Sequence, residues 1–326
     1  MNPTWDGRDL LQPISADQPC GENLEDTPLL ASFDAFRLFG HSTPVEPPPD
    51  WPAVKARALE GLDRSKDLRI LAHLGTAALR TDGVPAFADT LQVAARWLDT
   101  YWEHTYPRIE EDAIVRRNAL NCFADRMAIV EGLRRAPLVS HRQHGTFCLR
   151  DIDIAAGMQP ASAGEARPDE ARIDAAFATA PAEELTALHR SVTEAVAALH
   201  GIDERMRREA GSEAAPALEP LSTQLVRMER VLRARLDVRG DGNGAAAPRE
   251  SDAAAALTNI RSREDALRAV DAVSEFFRRH EPSSPVPLLL DRAKRLVSKN
   301  FLEVLADIAP DALAQARAAG GLKKGE

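Results

Sequence analysis

Two neighbouring stretches place apolar residues at a spacing that suits a helix and no strand. In "SKDLRILAHLGTAALRTDG" (65–83), Leu68, Leu71, Ala72, Gly75, Ala78 and Leu79 recur at a 3.6-residue period. In "PAFADTLQVAARWLDTYWEHTYP" (85–107), Phe87, Leu91, Ala94, Leu98, Tyr101 and Trp102 do the same. The pattern predicts two long helices joined through Thr81, Asp82 and Gly83, an αα-hairpin. Ser65 is the expected N-cap, with Asp67 in the first turn where the helix dipole favours an acid. Gly83 is the expected left-handed residue after the first helix, and Pro107 the expected stop of the second.

The rest of the chain agrees with a helical class. Ala, Leu and Arg are plentiful and β-branched residues sparse. Alternation suited to a strand occurs only in the short "FCLRDIDI" (147–154). An all-α fold follows as the expectation. At 326 residues the chain has room for two or three domains. Aromatic residues mark them, because they dominate core burial: all four Trp, both Tyr and six of the ten Phe precede residue 149. Two segments rich in Gly, Ala, Pro and charge, 155–170 and 239–256, read as linkers. The expected division is 1–154, an N-terminal helical domain; 171–238, a middle helical hairpin; and 256–326, a small C-terminal helical domain. In the middle segment Leu185, Leu188, Val192, Val196 and Leu199, then Leu221, Leu225, Met228 and Leu232, predict an antiparallel pair with much of its surface in solvent.

The C-terminal segment contains "RHEPSSPVPLLLDRAKRL" (279–296), with Pro282, Pro285 and Pro287 between two helical patterns. Before it, Ser262 and Asp265 resemble a capping box, and Ala266, Val270, Val273 and Phe277 line one face. That helix cannot pass Pro282, and Glu281 before it is pushed to an extended conformation. Ser284 is then placed as the next N-cap, with Pro285 at N1 and Pro287 at N3, where the missing amides cost no helical bond. Leu289, Ala293, Leu296 and Val297 continue as an apolar stripe. Glu281, Pro282, Ser284, Pro285 and Pro287 form an elbow that sets the angle between two helices, and they are the candidate assembly site.

Chemistry-bearing patterns are few. A net charge of −9 argues against a nucleic-acid surface. The three widely spaced cysteines, Cys20, Cys122 and Cys148, make no disulfide framework and fit a reducing compartment. The N-terminus has neither a basic leader nor an apolar run, and no stretch approaches a membrane span, so a cytoplasmic protein without membrane insertion is expected. His141, His144 and Cys148 in "SHRQHGTFC" mimic a metal cluster, but a zinc site wants four ligands, and a polar loop is the better reading. Cys20 in "QPCGEN" has no neighbouring cysteine or basic residue in sequence and reads as structural. "RGDGNG" (239–244) lacks the strand, the Lys-Ser/Thr and the ligating side chains of phosphate or calcium loops, and reads as linker. G-x-S-x-G and H-E-x-x-H are absent. No catalytic residue, cofactor or metal is expected.

The stretch "SREDALRAVDAVSEFFRRHEPSSPVPLLLDRAKRLVSKNFLEVLADIAPDAL" resembles the C-terminal domain of the shorter TssA (ImpA) proteins of the bacterial type VI secretion system. "LLQPISADQPCGENLEDTPLLASFD" resembles the entry of the ImpA N-terminal domain, and "DWPAVKARALEGLDRSKDLRILAHLGTAAL" and "GVPAFADTLQVAARWLDTYWEHTYP" resemble its following helices. The resemblance implies a non-enzymatic assembly factor that forms a ring-like homo-oligomer. The implied partners are the baseplate, the membrane complex and the tube and sheath proteins, reached from the cytoplasmic side of the inner membrane. It identifies no catalytic residues. The alternatives are a sheath-terminating relative sharing the ImpA N-terminal domain, against which the proline elbow argues, or a generic cytoplasmic helical adaptor.

Overall fold

Acidic caps open several helices of the chain. In a computed structural model, residues 7–240 are described except 44, 110–112 and 163, together with 267, 270, 271, 273, 274, 277, 278 and 285–297. The chain divides into two units, 1–244 and 245–326. The first holds α1 (Gly7–Leu11), α2 (Pro28–Ala31), α3 (Trp51–Leu62), α4 (Leu68–Thr81), α5 (Val84–Thr100), α6 (Ile114–Asn121) and α7 (Glu131–Arg135). A hairpin of β1 (Pro137–His141) and β2 (Gly145–Cys148) follows, then α8 (Leu149–Ala155), α9 (Glu170–Thr179), α10 (Ala182–Ala210) and α11 (Glu219–Gly240). Asp50 caps α3 by accepting from the Ala53 amide at 3.1 Å, and Asp169 caps α9 by accepting from Ala171 at 3.0 Å.

Asp67, rather than Ser65, caps α4: its carboxylate accepts from the Arg69 amide at 2.8 Å and is gripped by the Arg69 guanidinium. Ser65 is buried in an isolated bridge with Gly21, two residues too early to reach the first turn. Gly83 takes the expected positive φ, 90°, between α4 and α5. Leu68, Leu71, Ala72, Ala78, Phe87, Leu91, Ala94 and Leu98 are all fully buried. Lys55 on α3 closes the layer by pairing with Asp82 at the end of α4, 2.6 Å away.

One hydrophobic core runs from Leu10 to Leu232. α3 packs on α4, α4 on α5, and α10 on both α5 and α11. The long middle helices therefore bury their stripes in the core that the N-terminal helices build: Val192, Leu221, Leu225, Met228 and Leu232 are fully buried. Their outer faces remain in solvent. Polar links reinforce the seam, with Arg117 on α6 donating to the Glu213 carbonyl at 2.9 Å and Ala217 N donating to Asn121 at 2.8 Å.

Two expected boundaries move. α5 ends at Thr100, not at Pro107, because the carbonyls after it turn towards a buried arginine described below. The strand expected over 147–154 stops at Cys148, and the remainder is α8. Cys148 caps that helix: its amide and its thiol both donate to the Asp151 carboxylate, at 2.9 and 3.0 Å. The fold is mostly α, with the β1–β2 hairpin as the departure from an all-α chain among the described residues.

In the second unit, α12 spans Val286–Val297. Among the described residues no helix is long and apolar enough to cross a membrane.

Candidate functional site

Of the elbow residues, Glu281, Pro282 and Ser284 lie outside the described residues. Pro285 precedes α12, its carbonyl accepting from the Leu289 amide at 3.3 Å, and so occupies the cap. Pro287 falls at the second helical position and is buried, one place earlier than the expected N3. Ion pairs join the helical residues before the elbow to α12: Arg278 to Asp291 at 2.8 Å, and Asp271 to Lys294. The earlier residue pairs with the later one, so the described residues before the prolines run antiparallel to α12. Phe277 is half-buried. Of the expected apolar stripe of α12, Leu289 is 62% exposed and Ala293 is exposed as well, and the adjacent Leu288 is 74% exposed.

A second site lies in the first unit, where the resembling N-terminal stretches meet at the start of α4. Residues 64–68 are laced between two loops. Glu22 N donates to the Arg64 carbonyl at 3.2 Å and Lys66 N to the Cys20 carbonyl at 2.9 Å. On the other side Tyr106 N donates to the Lys66 carbonyl at 3.0 Å, and Leu68 N to the Tyr106 carbonyl at 2.9 Å. Gly21 is required here. Its φ is 70°, and a Cβ would lie 2.0 Å from the Arg64 carbonyl oxygen.

Two buried cations fasten the lacing. Lys66, 2% exposed, donates through Nζ to the Leu10 and Gln12 carbonyls at 2.7 Å each. It lies 5.1 Å from the Trp97 ring centre and 5.7 Å from that of Tyr101, while Trp97 Nε1 donates to the same Leu10 carbonyl at 2.8 Å. Arg116 donates to the carbonyls of Pro107 at 2.8 Å, Trp102 at 2.9 Å and Thr105 at 2.6 Å. These carbonyls belong to the loop where α5 gives way, which is why the helix stops early. Neither cation has a carboxylate partner among the described residues. Burial accordingly pushes the Lys66 ammonium down to about 8 and the Arg116 guanidinium down to about 10.

Beside this lacing is a polar cleft of about 300 Å³, lined by Cys20, Gly21, Asn23, His104, Tyr106 and Arg108 among others. Arg108 lies 4.9 Å from the Tyr106 ring centre and donates to its hydroxyl at 3.0 Å. Cys20 is not free of basic neighbours, contrary to expectation: Lys66, Arg108 and Arg116 all act on it through space. Burial outweighs them and raises the thiol, so Cys20 is held as a neutral thiol.

The metal-like cluster sits on the hairpin. The His141 and His144 rings stack with centres 4.7 Å apart, while Cys148 is committed to Asp151. No group of three or more His, Cys, Asp or Glu is placed to hold a metal among the described residues. Sequence reasoning passed over Lys66, His104, Tyr106, Arg108 and Arg116. The available signal was a charged residue inside each apolar or turn segment that carries the family resemblance.

The first unit is mostly helical, and the described residues of the second unit include the helix α12. Residues 11–125 match the family model described as ImpA, N-terminal, type VI secretion system. The chain is 33% identical over 331 residues to the type VI secretion system component TssA1 of Pseudomonas aeruginosa, covering 94% of this chain and 95% of that protein. It therefore belongs to the TssA family of type VI secretion system components. A solved N-terminal domain, including the conserved ImpA_N region, of the TssA component from Burkholderia cenocepacia shares the fold: TM-score 0.57, 24% identity, 72% of this chain and 95% of that one.

Proposed function

We propose that this type VI secretion component is a non-enzymatic assembly factor. It forms a ring-like homo-oligomer through its C-terminal unit and coordinates growth of the tube and sheath from the cytoplasmic side of the apparatus. The proposed partners are baseplate and membrane-complex proteins. The observation that carries this reading is end-to-end similarity to TssA1, including the C-terminal region that the ImpA N-terminal model does not reach. The exposed leucines of α12 support it, because an amphipathic helix with Leu288 and Leu289 in water gains by being covered. The apolar area of each leucine corresponds to about 1.5–3 kcal/mol when fully buried.

Deletion of residues 256–326 tests the reading. The truncated chain should stay in solution as a smaller particle by multi-angle light scattering and should no longer form fluorescent secretion foci in cells. Full particle mass after truncation would remove the C-terminal unit from assembly. Leu288→Glu with Leu289→Glu should act in the same direction while leaving helix content unchanged.

A further inference from the structure

Two neighbouring features of the first unit are unused by the assembly reading: the cleft at the Cys20 turn and the uncompensated positive charge around it. Lys66 and Arg116 lie buried near Cys20 without a carboxylate partner among the described residues, and their hydrogen bonds go to neutral carbonyls. Arg108 lines the cleft itself, is exposed, and spends one bond on the Tyr106 hydroxyl, leaving most of its planar fork of donors unused. His104 and Asn23 add polar side chains on the same wall. The negative groups of the lining are Asp17 and Glu22, and Glu22 is already paired with Arg64 at 2.7 Å. Among the described residues, Arg108 in the wall and Lys66 and Arg116 behind it outnumber the two lining carboxylates, Asp17 and the paired Glu22, around a polar concavity whose wall is fixed by four backbone hydrogen bonds and by a glycine with no room for a side chain.

We infer that the cleft is a carboxylate-binding site, in which Arg108 is the primary donor and Lys66 and Arg116 supply a fixed positive background. A guanidinium and a carboxylate match in shape and in hydrogen-bond number. A monoanion suits the site better than a dianion, because Asp17 and Glu22 repel a second negative charge. A volume near 300 Å³ holds one acidic side chain or the end of a chain, and not an extended ligand. This inference is independent of the oligomeric reading, since every residue in it belongs to the first unit.

The chain has two tyrosines, Tyr101 and Tyr106, so labelling the full-length protein with 3-fluorotyrosine gives two fluorine resonances. Tyr106 reports the cleft, and Tyr101, on the α1 side, is the internal reference. The probes at pH 7 are N-acetylglutamate amide for a side-chain carboxylate and N-acetylglycylglycine for a chain end. N-acetylglutamine amide is the neutral twin, and inorganic sulfate, fully ionised at this pH, is the dianion control. At least one carboxylate should move the Tyr106 resonance saturably while Tyr101 stays still, and the carboxylate that saturates at lower concentration identifies the source. The neutral twin should do nothing, and sulfate should need a higher concentration. Arg108→Gln, at an exposed position that leaves the core intact, should raise the half-saturating concentration about tenfold or more. The inference is overturned by no saturable movement with either carboxylate, by an equal response to the neutral twin, by tighter response to sulfate, or by an unchanged titration in Arg108→Gln.

Discussion

The Arg116 guanidinium lies 4.8 Å from the centre of the Trp102 ring and donates to the carbonyl of the same residue at 2.9 Å. One side chain thus holds both the backbone and the ring of Trp102, and it holds the Thr105 and Pro107 carbonyls as well. From α10, Arg205 also approaches the indole, with its guanidinium carbon 5.3 Å from the ring centre. The loop that ends α5 is therefore tied into the seam where the middle helices join the N-terminal ones.

Arg116→Ala should destabilise the first unit by about 3–5 kcal/mol, because the carbonyls it satisfies would be left buried without donors. Urea unfolding followed by tryptophan fluorescence measures this, with Trp102 as a local reporter. Arg116→Lys should recover only part of the loss, since one ammonium cannot meet three carbonyls in the geometry of a planar fork.

Lys66 makes stability depend on pH. Its folded-state value is about 8 against an ordinary 10.5, chiefly through burial. Between those values the unfolded chain binds more protons than the folded one, so stability rises with pH there. The thiols of Cys20, Cys122 and Cys148, all raised by burial, pull the other way above about pH 9. Urea midpoints between pH 8 and 9 should therefore climb in the wild type and stay flatter in Lys66→Met. Parallel profiles would show that Lys66 keeps its proton throughout.

Two glycines separate a rigid neighbour from a yielding one. At Gly21 an added Cβ meets the Arg64 backbone carbonyl, and φ is positive as well, so Gly21→Ala should cost about 2 kcal/mol or more. At Gly132 a Cβ would lie 1.6 Å from Arg80 Nη1, the far end of a side chain. Arg80 would have to swing away from the Ala128 carbonyl, which it now meets at 2.9 Å, and from Trp51, 5.3 Å from its guanidinium carbon. Gly132→Ala should cost about 1–2 kcal/mol, the scale of one hydrogen bond left unmade at a buried acceptor. Thermal melts of the two variants rank them directly.

The helices were legible where their partners are local in pattern. Leu68 to Leu79 and Phe87 to Leu98 announce buried faces by spacing alone, and those faces are buried. The same signal failed at the end of α5, because what stops that helix is Arg116, more than a dozen residues later in the chain. It failed at 147–154 for a different reason. Asp151, Ile152, Asp153 and Ile154 alternate like a strand, but Cys148 and Asp151 form a cap, and cysteine is not a residue that pattern reading expects there. The cleft was hidden because its walls come from residues 17–23 and 104–108, joined only through the lacing at 64–68. Of the proline elbow only Pro285 and Pro287 are among the described residues, and their register differs by one residue from the expected one, with Pro285 at the cap and Pro287 second in the helix.

That register decides how the elbow responds to mutation. Neither the cap residue nor the second helical residue has an intrahelical acceptor for its amide, so a proline at either position breaks no bond of α12. Pro285 is exposed, whereas Pro287 is buried and contributes apolar contact as well as a fixed φ. Pro285→Ala should leave both helix content and stability within about 0.5–1 kcal/mol of wild type, the change coming from a freer unfolded chain. Pro287→Ala should keep helix content but cost more, because it also removes buried ring atoms. If the reversal marked by the Arg278–Asp291 and Asp271–Lys294 pairs positions a surface for assembly, the double variant should weaken oligomer formation with circular dichroism unchanged. Those exposed pairs add little holding energy of their own. Light scattering of the full-length double variant at decreasing concentration reads the effect. Dissociation at the wild-type concentration would leave the prolines as punctuation between two helices and nothing more.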